Sequence, residues 1–140
     1  MRTLAALSIA VLAAAGCDVT EPGWTVGLGL VVEGFDPPFT SLIAPDVVTR
    51  SVPFAITAST FGSSSCTQAD GFTLGKTPTL AEVRLFDRSA PSGAICTEDF
   101  RNFPRIITLQ FDEPGTAEIR VIGRGDGKAI RVVQKTITVQ

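Results

Sequence analysis

The 140-residue chain has no histidine and no tyrosine, and only one tryptophan, one methionine and three cysteines. Without histidine, every His-dependent catalytic triad and most transition-metal sites are excluded. Without tyrosine there is no tyrosine corner, and Trp24 stands alone as a tryptophan for sugar stacking, which argues against a carbohydrate-binding module. Long apolar runs are missing too. The longest, Leu4 to Ala15, falls short of the about 20 residues that a spanning helix needs. Neither sign of charge dominates, with 12 Lys+Arg against 14 Asp+Glu. The basic residues alternate with acids, as in Glu82/Arg84, Asp87/Arg88 and Glu118/Arg120. Phosphate neutralisation requires clustered Lys and Arg, so no nucleic-acid partner is expected. No cofactor is expected either.

What is present begins at the N-terminus. Arg2 supplies a positive charge, the uncharged run Leu4 to Ala15 has the length of a secretory h-region, and small residues close it at Ala14-Ala15-Gly16-Cys17. That tetrapeptide resembles the lipobox of bacterial lipoprotein precursors, although Ala14 stands where the family usually carries a large aliphatic residue. The resemblance implies lipidation of Cys17, cleavage just before it, and anchoring of the mature protein in a membrane of the cell envelope. It covers only the first 17 residues. Ordinary A-x-A-like cleavage, leaving Cys17 as a free thiol, is the alternative. In enterobacterial lipoproteins an Asp placed as Asp18 resembles an inner-membrane retention signal, a rule that varies among phyla, so the choice of membrane stays open. The expected organisation is a signal peptide over 1–16, a lipidated cysteine and short tether over 17–24, and a folded domain over 25–140.

Export sets the expectation for the other two cysteines. Cys66 and Cys96 form an even pair in a chain bound for an oxidising compartment, and a disulfide between them is expected, with two buried free thiols as the alternative. Two sulfurs without Cys-x-x-Cys spacing, in a chain without histidine, do not furnish a zinc site.

Beyond Asp18 the apolar pattern has period two, the signature of strands with one buried face. Val26, Leu28, Leu30 and Val32 form one such series; Phe54, Ile56 and Ala58 another; then Val83 and Leu85, Ile107 to Phe111, and Ala117 to Val121. In the last segment Ile130 and Val132 have even parity while Val133, Ile137 and Val139 have odd, which predicts a bulge near Val133 to Lys135. Turn formers such as Asp36-Pro37-Pro38, Pro91-Ser92-Gly93 and Asp126-Gly127 punctuate these runs. The expected fold is all-β, an antiparallel β-sandwich of about seven strands. The segment from Asp46 to Thr57 and the closing pair 116–123 and 129–139 look like immunoglobulin-like domains of bacterial envelope proteins.

Few residues carry chemistry. Ser63-Ser64-Ser65 with Lys76 is the only set that resembles a Ser-Lys hydrolase, and a glycine-flanked serine run is more simply a turn. Arg124-Gly125-Asp126 spells an integrin-binding tripeptide, but Asp126-Gly127 reads first as a hairpin turn. Asp112-Glu113, beside Asp126 or Asp70, is a weak calcium candidate without EF-hand spacing. The stretch 35–43 places Phe39, Leu42 and Ile43 among turn formers, as a partner-binding edge or as a flap over the open end of the sandwich. Phe100 and Phe103 are expected as a core plug behind the disulfide. The expected function is a non-enzymatic binding or structural accessory module with an envelope protein partner. A protease-inhibitor-like domain and a Ser-Lys hydrolase are the rivals.

Overall fold

The computed structural model describes residues 23–34 and 39–140, so the expected signal peptide over 1–16, the expected lipidation of Cys17 and most of the expected tether over 17–24 lie outside the described residues. Among the described residues the regular structure is almost wholly β. The strands are β1 (Thr25–Leu28), β2 (Leu42–Ile43), β3 (Val47–Val48), β4 (Phe54–Ser64), β5 (Thr67–Thr77), β6 (Leu80–Ser89), β7 (Glu98–Leu109), β8 (Gly115–Arg124) and β9 (Ile130–Val139). They form two packed sheets. In the larger, β5 lies along one edge of β6, and β1 and β8 lie in tandem along the other; β9 and then β3 follow β8. The smaller sheet has the order β2-β4-β7.

A purely antiparallel sandwich of about seven strands is therefore corrected. β6 runs parallel to β8, and β3 parallel to β9. The reason is the route of the chain: after β6 it crosses to the small sheet as β7, reverses, and returns beside β6 in its original direction. The two-residue strands β2 and β3, too short for a periodic signal, raise the described count to nine.

Between the sheets the expected alternation holds for the central strands. Ile56, Val83, Leu85, Ile107, Ile119 and Ile137 are all at most 2% exposed, and each contributes about 1.5–3 kcal/mol by leaving water. The first series fails: Val26 is 55% exposed and Val31 is fully buried. Here the chain leaves the large sheet and crosses to the small one. The Gly29 N–H donates to the Leu85 carbonyl, the Arg124 N–H to the Gly29 carbonyl, and the Phe61 N–H to the Leu30 carbonyl. A Cβ on Gly29 would stand 2.5 Å from both Asp87 Oδ2 and Thr60 Cγ2, so glycine is what the crossing admits.

The bulge expected in β9 is likewise absent. Its register against β8 runs unbroken from Gly115↔Val139 to Arg124↔Ile130. Ile130 and Val132 instead face outward, 71% and 41% exposed. The β8–β9 connection is longer than a two-residue hairpin, a 3₁₀ turn over Asp126–Lys128 with Gly127 and Lys128 both at positive φ.

Candidate functional site

The outward faces of the two sheets differ in chemistry. On the large sheet, Glu82 and Arg84 of β6 pair in register with Arg120 and Ile122 of β8, and Glu118 lies opposite Thr136 of β9. Arg84 binds Glu82 at 3.1 Å and Arg120 binds Glu118 at 2.7 Å. The hydrogen bond and charge of Glu118 hold Arg120 above its usual pKa.

The same face of the large sheet also exposes Ile130 and Val132, whereas the central outward rows of the small sheet carry no charged side chain. Ile43, Thr57 and Ile106 stand directly across β2, β4 and β7 in one outward row, with Ile106 77% exposed and Ile43 42%. Pro104 follows in the next row, opposite Ser59. Because the Ser59 N–H donates to Ser41 on the β2 side, the Pro104–Ser59 pair is not a hydrogen-bonded one within β4–β7. The nitrogen without a hydrogen therefore faces the open edge of β7, where it discourages addition of another strand.

Towards the start of β7 the apolar face becomes aromatic. Phe100 lies 5.5 Å from the buried Phe61 ring and 5.8 Å from Phe39, centroid to centroid. The fold thus joins a connecting segment and a strand that stand about 60 residues apart in sequence. Phe39 and Ile43, two of the sequence candidates, lie on this exposed face, whereas Leu42 points into the core and is 8% exposed. The core plug expected of Phe100 and Phe103 is corrected for Phe100: successive strand residues alternate faces, so Phe103 turns inward against Gly62 while Phe100 turns out.

At this end of the sandwich the sheets are cross-tied. Cys66 and Cys96 form the expected disulfide, joining the β4–β5 corner to the β6–β7 connection. The Ser65 N–H donates to the Thr97 carbonyl, the Thr97 N–H to Ser65 Oγ, and the Ala90 N–H to the Cys66 carbonyl. Deeper in, Arg105 of β7 reaches across to the large sheet and binds Asp87 Oδ1 at 2.8 Å and the Phe86 carbonyl at 2.6 Å. Its other terminal nitrogen binds Thr60 Oγ1 and the Phe103 carbonyl, and the Thr60 hydroxyl donates to the same Asp87 oxygen. The Arg105 and Asp87 side chains are only 9% and 5% exposed. Sequence reading missed this cluster because Asp87/Arg88 reads as an ordinary alternating surface pair, and nothing local marks Arg105 as inward.

The remaining chemical candidates are not brought together. Ser63 and Ser64 close β4 at the disulfide end, while Lys76, near the far end of β5, lies over the Phe111 ring at 5.6 Å. Nine residues of extended strand separate Thr67 from Lys76, roughly 30 Å, so no Ser-Lys pair forms. Asp112 and Glu113 lie at that far end, away from Asp70 and Asp126, and no group of three or more His, Cys, Asp or Glu able to hold a metal occurs among the described residues. No protein-family model, curated protein or solved structure matches this chain.

Proposed function

We propose that the chain is a lipid-anchored protein of a bacterial cell envelope, with a domain outside the cytoplasm that serves as a non-enzymatic binding or structural accessory module for a protein partner. Arg2, the apolar run and Ala14-Ala15-Gly16-Cys17 support the anchor. The Cys66–Cys96 disulfide fits an oxidising compartment. The domain is read as a variant of the immunoglobulin-like sandwich, with β2, β4 and β7 in the places of strands A, B and E and β8 and β9 in those of F and G. It departs at β6, which lies parallel beside β8 where that fold has an antiparallel neighbour.

The observation that carries the partner reading is the outward row Ile43, Thr57 and Ile106, a solvent-facing strip with no charged side chain, whereas on the other sheet's outer face the exposed Ile130 and Val132 stand among ion pairs. The test is a photo-reactive residue replacing Ile106 in living cells, with one replacing Thr136 on the charged face as control. A discrete protein adduct from position 106, absent from 136 and lost with Ile43→Asp, is the expected result. Equal labelling from both positions, or none from 106, rejects the partner surface. The anchor is tested separately by the mass of the N-terminal peptide: diacylglyceryl on Cys17 is expected, and an unmodified Cys17 rejects it.

A further inference from the structure

The end of the sandwich that carries the disulfide closes in two uncharged segments. The loop from Ala90 to Thr97 contains no Asp, Glu, Lys or Arg, and neither does the stretch from Ser59 to Ala69 that rounds the β4–β5 corner. Ile95, in the middle of the loop, is 100% exposed. Below the apex, exposed apolar side chains stand on both flanks. Phe39 and Phe100 lie on the small-sheet side, while Val26 and Ile130 lie on the large-sheet side, each at least 55% exposed. Phe61 and Arg124 both bridge to Leu30, and Arg124 pairs with Ile130, so Ile130 and Phe61 sit at one level, three residues below the end of β4. That is roughly 10 Å of strand.

The described chain begins at this same end. A Cβ on Gly23 would lie 3.2 Å from Pro91 Cβ, which puts the start of the domain against the apical loop. Cys17 is six residues earlier, a reach of roughly 20 Å when extended.

We propose, resting on the lipid-anchored reading, that this apex is a bilayer-contact tip: the tether draws it down, and Ile95 with the collar of Val26, Phe39, Phe100 and Ile130 enters the headgroup and upper acyl region. A protein partner covers one side of a domain, whereas a bilayer surrounds whatever enters it, and here the apolar residues occur on both flanks and at the apex. Interfacial elements bury about 5–10 Å into the headgroup boundary, comparable with the roughly 10 Å of strand between Ile130 and the end of β4. The apical loop itself has no ion to strip of water there, whereas Glu98, Asp99, Asp126 and Lys128, which stand beside it at this end, would lie among the polar headgroups. Trp24, one residue before the Thr25–Ser89 pair, stands nearer the apex than Ile130, with the Arg88 guanidinium 5.2 Å from its ring, an amphipathic pair of the kind that settles at membrane interfaces. The opposite end exposes Val47 and Val52 among Asp46, Arg50, Asp112 and Glu113, with no exposed aromatic residue and no chain start beside them.

Trp24 is the sole tryptophan and therefore reports directly. The processed chain from Cys17 is coupled through that thiol, the one cysteine outside the disulfide, to a maleimide lipid in phosphatidylethanolamine–phosphatidylglycerol vesicles, so the outcome does not depend on how cells modify Cys17. Brominated acyl chains are then added. The expected result is at least twofold quenching of Trp24, strongest from bromines near the headgroups, and recovery of most of the emission in Ile95→Asp/Ile130→Asp protein that stays tethered and melts like the parent. Trp24 emission that is unchanged on tethered vesicles, or quenched equally in the double variant, overturns the tip. An unmodified Cys17 in cells overturns the anchor and is read from peptide mass alone, so the two failures are told apart.

Discussion

The two ends of the sandwich are built on opposite plans. At the far end the interior is apolar and the exterior mostly charged: Phe54 pairs with Leu109 and Ile56 with Ile107 across the small sheet, while Asp46, Arg50, Asp112 and Glu113 face solvent beside the smaller Val47 and Val52. At the disulfide end the inward rows become Ala58–Arg105, Thr60–Phe103 and Gly62–Arg101, opposite Asp87, and the exposed residues come to include Phe39, Ile95, Phe100 and Ile130 beside Glu98 and Asp126. The far end is held by burial of hydrocarbon. The disulfide end is held by a covalent bond and a hydrogen-bonded ion pair between sheets, two ties that need no apolar filling. An end cross-linked in this way can turn its large apolar residues outward without losing its shape.

That contrast is broken most severely by cutting the ion pair. Asp87→Ala leaves Arg105 buried without its counter-charge, and loss of one member of a buried pair costs about 3–5 kcal/mol. Urea unfolding should show that loss with an unchanged slope, and Asp87→Leu combined with Arg105→Met should recover part of it. If Asp87→Ala unfolds like the parent, the cluster does not hold the sheets together. The disulfide comes next. Its ends are separated by 30 residues, which in the chain-entropy view corresponds to roughly 3–4 kcal/mol. Cys66→Ser/Cys96→Ser should lower the urea midpoint accordingly, with hydrogen exchange rising first at Ser65 and Thr97. A uniform rise over both ends would mean that the ends are not separately held.

Much of the far end was legible in the sequence, because there each strand is independently amphipathic. Ile56, Val83, Leu85, Ile107, Ile119 and Val121 occupy the inward positions that period two assigns them. The disulfide was legible from cysteine parity beside an N-terminal run that resembles a secretory signal. What period two did not carry was the crossing at Gly29–Leu30, since a chain that changes sheets in mid-segment resets its own parity. Nor did it carry the parallel pairing of β6 with β8, which depends on where β7 sits rather than on any residue of β6 or β8. The apolar strip was half legible: Phe39 and Ile43 stood out among turn formers, but Ile106 belongs to a run, Ile106-Ile107, in which only register decides which isoleucine faces out.

The gentlest test of the contrast is acid. At the far end Lys135 donates to Asp46 at 2.8 Å, and that hydrogen bond and charge hold the Asp46 carboxyl below its ordinary pKa. Asp112 is lowered as well, chiefly by hydrogen bonds from Gln110 and Ser51. A carboxylate whose pKa is depressed in the folded state adds stability that is fully present above its unfolded pKa, about 4 for aspartate, and is lost as pH falls through the folded value. Stability should therefore decline below about pH 4, and in carboxyl NMR titrations both groups should show midpoints under the ordinary aspartate value. Lys135→Met should return Asp46 to that value and leave Asp112 unmoved, because their partners are different residues. Both groups are exposed, so added salt should shrink the Asp46 shift, which is partly coulombic, more than that of Asp112, which rests mainly on neutral donors. An Asp46 midpoint indifferent to Lys135 would show that the far end is held by its apolar interior alone, with its surface charges as bystanders.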